Sequence, residues 1–208
     1  MADFHRPTRM PTDMFEDYIG GDDPADVLRA ARDTAHALVD RGRDASDPAV
    51  VERLVAYTDA NGIDAIAELW ARSHPHTLPG ALWRIYLLRV VIRQDPAGTS
   101  LMFQRGSEAL RTIDPVVAGA VVPTGPDEIT ELADRILRGL FTGDFSIALD
   151  RAAAFCRVLA AGAGALADEA DLLHPERATE FTVRADRYAG FADDLGHSAR
   201  LHRRGRLE

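Results

Sequence analysis

The feature that most constrains this chain is a recurring pattern of helix punctuation. An acidic residue stands directly before a proline, an apolar run spaced by threes and fours follows, and glycine closes it. Proline suits the first turn of a helix, where its missing N–H is no loss, and glycine suits the position just past the end. Asp23-Pro24 opens such a segment, with Val27, Ala31, Thr34, Ala35 and Leu38 on one stripe and Gly42 as its stop. Asp47-Pro48 opens a second, which Asn61-Gly62 closes, and Ile63 to Ser73 follows with Ile63, Ile66, Ala67 and Trp70 aligned.

Past the loop HPHTLPG comes LWRIYLLRVVIRQDP, residues 82–96, apolar in nearly every direction and ended by Asp95-Pro96. A helix is expected around Ser100 to Arg111, another over Asp127 to Leu140, a long one from Phe145 to Ala167, and a last one from Pro175 to about Arg203. Residues 115–126 carry too many breakers for an assignment. The run VVAGAVV is the sole strand candidate and lacks a pairing partner. The expectation is an all-α fold: an irregular multi-helix bundle of about eight helices, with HEAT-like stacked helix pairs as the alternative architecture.

Residues 1–22 read differently. Pro7, Pro11, Gly20 and Gly21 break any long helix, yet Phe4, Met10, Met14, Phe15, Tyr18 and Ile19 are large and apolar. We expect an extended N-terminal arm over 1–22, lying in an apolar groove of its own body or of a second subunit, then one helical domain over 23–204 and a C-terminal tail over 205–208.

With 208 residues, 46% of them hydrophobic, the chain is long enough to bury a substantial core. Its net charge of -9 argues against general nucleic-acid binding, which depends on neutralising phosphates, and against an anionic membrane surface. Two candidate helix-turn-helix stretches, TDANGIDAIAELW and LFTGDFSIALDR, would present acidic residues to the phosphates. The most apolar helix is too short and too rich in arginine to span a bilayer. No apolar leader run is present in the first residues, and Cys156 is the single cysteine, which suits a reducing cytoplasm.

Candidate sites are few. Arg89 and Arg93, four residues apart, share one face of the apolar helix, while Arg84 lies well away from them. Burying an unpaired charge costs several kcal/mol, so these groups must reach carboxylates, water or a ligand. Glu52, Asp64, Glu68, Asp127, Glu128, Glu131 and Asp134 are the acidic partners at hand. The alternative is an anion-gripping pocket formed by Arg89 and Arg93 with Trp70, Trp83 and Tyr86.

His74-Pro75-His76 looks like part of a metal set, but zinc needs three or four converging ligands, and only His36 or His174 could join it from elsewhere. Cys156 sits among small apolar residues with no neighbouring base, and reads as a core side chain. Gly162, Gly164 and Ala167 match a dinucleotide-loop spacing, but inside a helical stretch they point to close helix–helix approach. The stripe Phe181, Ala185, Tyr188, Ala192, Leu195 and Ala199 suits packing on the bundle or a dimer seam. Arg200, His202, Arg203, Arg204 and Arg206 form a basic end.

No catalytic constellation, cofactor motif or metal set stands out. The leading expectation is a non-enzymatic, cytoplasmic interaction or regulatory protein, acting as a homodimer or with another protein. The second is a small-molecule-binding protein that takes an anionic ligand between helices.

Overall fold

The computed structural model describes residues 23–39, 64–119, 124–142 and 144–208. Among them lie eight helices and no strand. The expected arm over 1–22 and the expected helix after Asp47-Pro48 fall outside the described residues. The helices are α1 (Pro24–Val39), α2 (Asp64–Trp70), α3 (Leu78–Gln94), α4 (Pro96–Ala109), α5 (Asp114–Ala118), α6 (Pro126–Thr142), α7 (Phe145–Ala170) and α8 (Pro175–Arg203). The fold is an all-α multi-helix bundle.

Local chemistry sets the helix starts. Asp23 accepts from the Ala25 N–H at 2.9 Å, and Thr77 Oγ1 accepts from the Gly80 N–H at 3.2 Å. Asp95 ends α3 and caps α4 at once, its carboxylate accepting from the Gly98 N–H at 2.9 Å. Asp144 accepts from the Ser146 and Ile147 N–H groups at the head of α7. Each such cap satisfies donors that the first helical turn leaves open and contributes about 1 kcal/mol. The breaker-rich stretch still holds the short α5, which Gly119 stops in the left-handed region at φ 80°.

Helix α7 is the centre of the bundle. It packs against α8, α4, α5 and α6, and its interior from Ala152 to Cys156 is buried. Sequence patterning pointed to α3 as the most enclosed helix. Instead Val91 is 39% exposed and Trp83, Tyr86 and Leu87 are only half-buried, because α3 packs on α1, α2 and α6 along one side and meets α8 over a short length. The helix that sequence patterning made most apolar therefore keeps an open flank.

Two glycines explain how closely α4 and α7 cross. A methyl group on Gly162 would collide with the Met102 carbonyl oxygen, and one on Gly106 with that of Val158. The small-residue run in α7 thus serves close helix approach at Gly162, whereas Gly164 faces open space. Next to this crossing, Phe103 and Phe155 stack with ring centroids 5.3 Å apart, both buried. Burying such a side chain contributes roughly 1.5–3 kcal/mol.

The α8 stripe faces this core: Tyr188, Ala192, Leu195 and Ala199 are buried, with Phe181 and Ala185 packed at its edge. The basic end does not simply project into water. Arg203 pairs with Asp150 of α7, Leu207 is buried, and the Glu208 backbone oxygen accepts from the Leu78 N–H at 2.9 Å.

Candidate functional site

Where α8 diverges from the α3–α4 corner, the helices leave a cavity of about 320 Å³. Its apolar walls are Leu87 and Val91 from the open flank of α3, Met102 from α4, and Tyr188 and Phe191 from α8. Leu87 and Val91 stand one turn apart and Gln94 follows on the same side, so one face of α3 supplies a continuous wall. The polar lining is Gln94, Asp95, Thr99, Arg184 and Arg187.

The polar groups differ in how far they are already engaged. Thr99 Oγ1 donates to the Asp95 carbonyl at 2.7 Å. Asp95 is held by its capping bond and by Arg184 at 3.9 Å, and Arg184 also lies 5.9 Å from the centroid of the Phe181 ring. Among the described residues, the Arg187 guanidinium, the Gln94 amide and the Tyr188 hydroxyl have no hydrogen-bond or ion-pair partner. Tyr188 is 7% exposed, and burial pushes its phenol up to about 12, with Cys156 and Asp95 adding to the effect and Arg184 opposing it. It is therefore a neutral donor at any physiological pH.

A polar cluster lies beside Phe191. Arg84 donates from Nε to Asp194 Oδ2 at 2.8 Å and from NH1 to the Gly80 carbonyl at 3.2 Å, and its guanidinium carbon lies 5.9 Å from the Phe191 ring centroid. Asp194 Oδ1 stands 3.1 Å from His76 Nε2, and the His76 ring stacks on His197 with centroids 4.2 Å apart. Ser198 donates to the Pro75 carbonyl at 3.4 Å. This cluster ties α3, the loop before it and α8 together.

The residues singled out from sequence fall elsewhere. Arg89 Nε donates to Asp134 Oδ1 and Arg93 NH2 to Asp134 Oδ2, both at 2.9 Å, so one carboxylate of α6 answers both charges. Burial opposes ionisation of Asp134, but hydrogen bonds from Arg89 and Arg93 outweigh it and hold the carboxyl below its ordinary value. Both groups are thus engaged by a single carboxylate. Trp70 is a core residue whose indole N–H donates to Thr34 Oγ1 at 3.2 Å. Trp83 and Tyr86 stack on each other at 5.4 Å. None of these five residues lines the cavity.

His74 and His76 meet edge to face at 5.3 Å, but the third ring is His197 rather than His36 or His174, and its stacked approach turns ring faces, not nitrogens, together. Among the described residues no three His, Cys, Asp or Glu side chains converge as a metal set. Cys156 is fully buried, and desolvation pushes its thiol up to about 12, far from a nucleophile's range. Among the described residues no helix is long and apolar enough to cross a membrane.

Of the cavity residues, Tyr188 stood out in the sequence only as a member of the apolar α8 stripe. Gln94, Arg184 and Arg187 gave no such signal, since isolated polar residues on helices usually face water. The chain matches no protein-family model, no curated protein and no solved structure.

Proposed function

We propose that this chain is a small-molecule-binding protein acting through the α3–α4–α8 cavity. The observation that carries this reading is the coincidence of an apolar enclosure with polar groups that have no partner of their own. The Tyr188 ring is buried while its hydroxyl and the exposed Gln94 and Arg187 groups are free to exchange water for a ligand's polar atoms. The volume lies at the small end of the roughly 300–1,000 Å³ typical of ligand pockets.

The experiment is a thermal-shift screen of small amphipathic molecules on the wild-type chain and on Val91→Trp. Val91 is part-exposed, so the larger ring extends into the cavity without disturbing the core. Molecules that raise the melting temperature of the wild type and leave Val91→Trp unmoved support the reading. Shifts of equal size in both proteins count against it.

One observation favours the other reading, a protein-interaction role. Leu172 and Leu173, at the turn between α7 and α8, are 92% and 79% exposed. Adjacent exposed leucines suit contact with another chain, a homodimer among the options. A sizing measurement on wild type and Leu172→Ser/Leu173→Ser tests this: an assembly lost in the double variant supports it, and a monomer in both rejects it. A cytoplasmic setting belongs to either proposal and suits a chain whose single thiol is enclosed in its core.

A further inference from the structure

We infer that the ligand class of this cavity is a compact monoanion with an apolar body, its anionic end held at the rim by Arg187 and Arg184 and its body lying on Leu87, Val91, Met102 and Phe191. The inference rests on the proposed binding role and adds the chemistry of the occupant.

Charge gives the first argument. The lining holds two arginines and one carboxylate. Asp95 is already engaged by the Gly98 N–H and by Arg184, so the surplus is one positive charge, at Arg187. Other exposed arginines, Arg32, Arg72 and Arg151 among them, also have no carboxylate partner among the described residues, so what sets Arg187 apart is its place in the lining of an apolar cavity. The arginines of α3 each contact a carboxylate: Arg84 that of Asp194, and Arg89 and Arg93 that of Asp134 between them. Arg187 is open at the mouth of an apolar cavity, and a planar guanidinium there matches a carboxylate in two-point geometry.

The second argument is donor and acceptor matching. The protonated Tyr188 phenol in the lining offers an O–H, and Gln94 offers both an N–H and a carbonyl. The set is richer in donors than in acceptors, which suits a ligand whose polar atoms are mainly acceptors. A cationic ligand would find Asp95 alone, already capped and paired. The arrangement places charge recognition at the wet rim and apolar contact inside, so only the body of the ligand loses its water. Desolvating the anion fully would cost more than an exposed arginine returns.

The test uses three probes with one apolar body: octanoate, octan-1-ol and octylamine, titrated by calorimetry into the full chain at low ionic strength. Octanoate is expected to bind, octanol about three- to tenfold more weakly, and octylamine weakest. Arg187→Gln, at an exposed position that the fold tolerates, is expected to bring octanoate down to the affinity of octanol and to leave octanol unchanged. Added salt should weaken octanoate alone. Octanol or octylamine binding as tightly as octanoate, or octanoate indifferent to Arg187→Gln, overturns the ligand class while leaving a binding cavity in place. Failure of all three probes at millimolar concentration overturns both the class and the binding role it rests on.

Discussion

His76 and His197 lie face to face across the seam between α8 and the loop before α3, their ring planes 28° apart, and Asp194 holds the first of them. The pair has a definite acid response. Desolvation, then the neighbouring His76 and Arg200, hold the His197 pKa below the ordinary 6.5, with Asp194 the opposing influence. Arg204 adds to the lowering, and His74 on the loop and Arg84 on α3 stand against the His76–Asp194 side of the pair.

A histidine whose folded value is depressed binds its proton more readily when unfolded. Its contribution to stability is therefore complete above about pH 6.5 and declines as pH falls from there toward the lower folded value. The urea midpoint should be level between pH 7 and 8 and drop below pH 6.5. His197→Gln, which cannot titrate, should show a shallower drop. An equal drop in both proteins would assign the acid response to other groups.

Asp134 answers two arginines from two adjacent turns of α3, and the three groups differ in exposure: 28% for Asp134, 21% for Arg89 and 48% for Arg93. Asp134→Ala leaves the enclosed Arg89 without its carboxylate and should cost about 1–2 kcal/mol at pH 7. Arg93→Ala removes a half-exposed partner and should cost under about 1 kcal/mol. Because the Asp134 pKa is lowered by folding, its contribution is present above the ordinary carboxylate value and is lost as pH falls through the folded one. Denaturation curves of wild type and Asp134→Ala should therefore converge only in strong acid, well separated from the histidine response.

The α4–α7 crossing gives the sharpest contrast between chemically identical changes. Gly106→Ala and Gly162→Ala each put a methyl group into a backbone carbonyl of the facing helix, which neither helix can yield without moving apart. Each should cost about 2–3 kcal/mol in urea or thermal unfolding. Gly164→Ala, in the same helix and facing open space, should be neutral or stabilising by about 0.5–1 kcal/mol. A uniform response across the three positions would contradict the crossing geometry.

Features set within a few residues were legible in the sequence. The aspartates at 23, 95 and 144 and the hydroxyl at 77 cap helices by bonds to residues two or three positions on, so sequence neighbours carry the whole signal. The Tyr188–Leu195–Ala199 stripe fixed which side of α8 turns inward. Asp134 was among the carboxylates available to Arg89 and Arg93, but choosing it over Asp127, Glu128 or Glu131 needs the rotation of α6 against α3.

His76 meets His197 only because of the axial position of α8, and the Met102–Gly162 contact depends on two crossing helices at once. The cavity was the least legible feature. It exists where α3, α4 and α8 fail to close on one another, and no residue's own preference encodes a gap. Trp83 and Tyr86, conspicuous in sequence, stack on each other, and Arg89 and Arg93 meet Asp134, while plain residues of α8 line the cavity.

The pairing of α7 with α8 has a kinetic consequence. These helices are the longest in the bundle, follow one another directly and join through a turn of a few residues, so bringing them together closes a short loop at little entropic cost. Chains rich in such near-neighbour contacts collapse early, and the partners formed first are commonly the last to open. The slowest deuterium uptake should therefore be found in amides between Ala152 and Leu159, beneath the buried stripe of α8, with the short α5 and the ends of α8 exchanging orders of magnitude sooner.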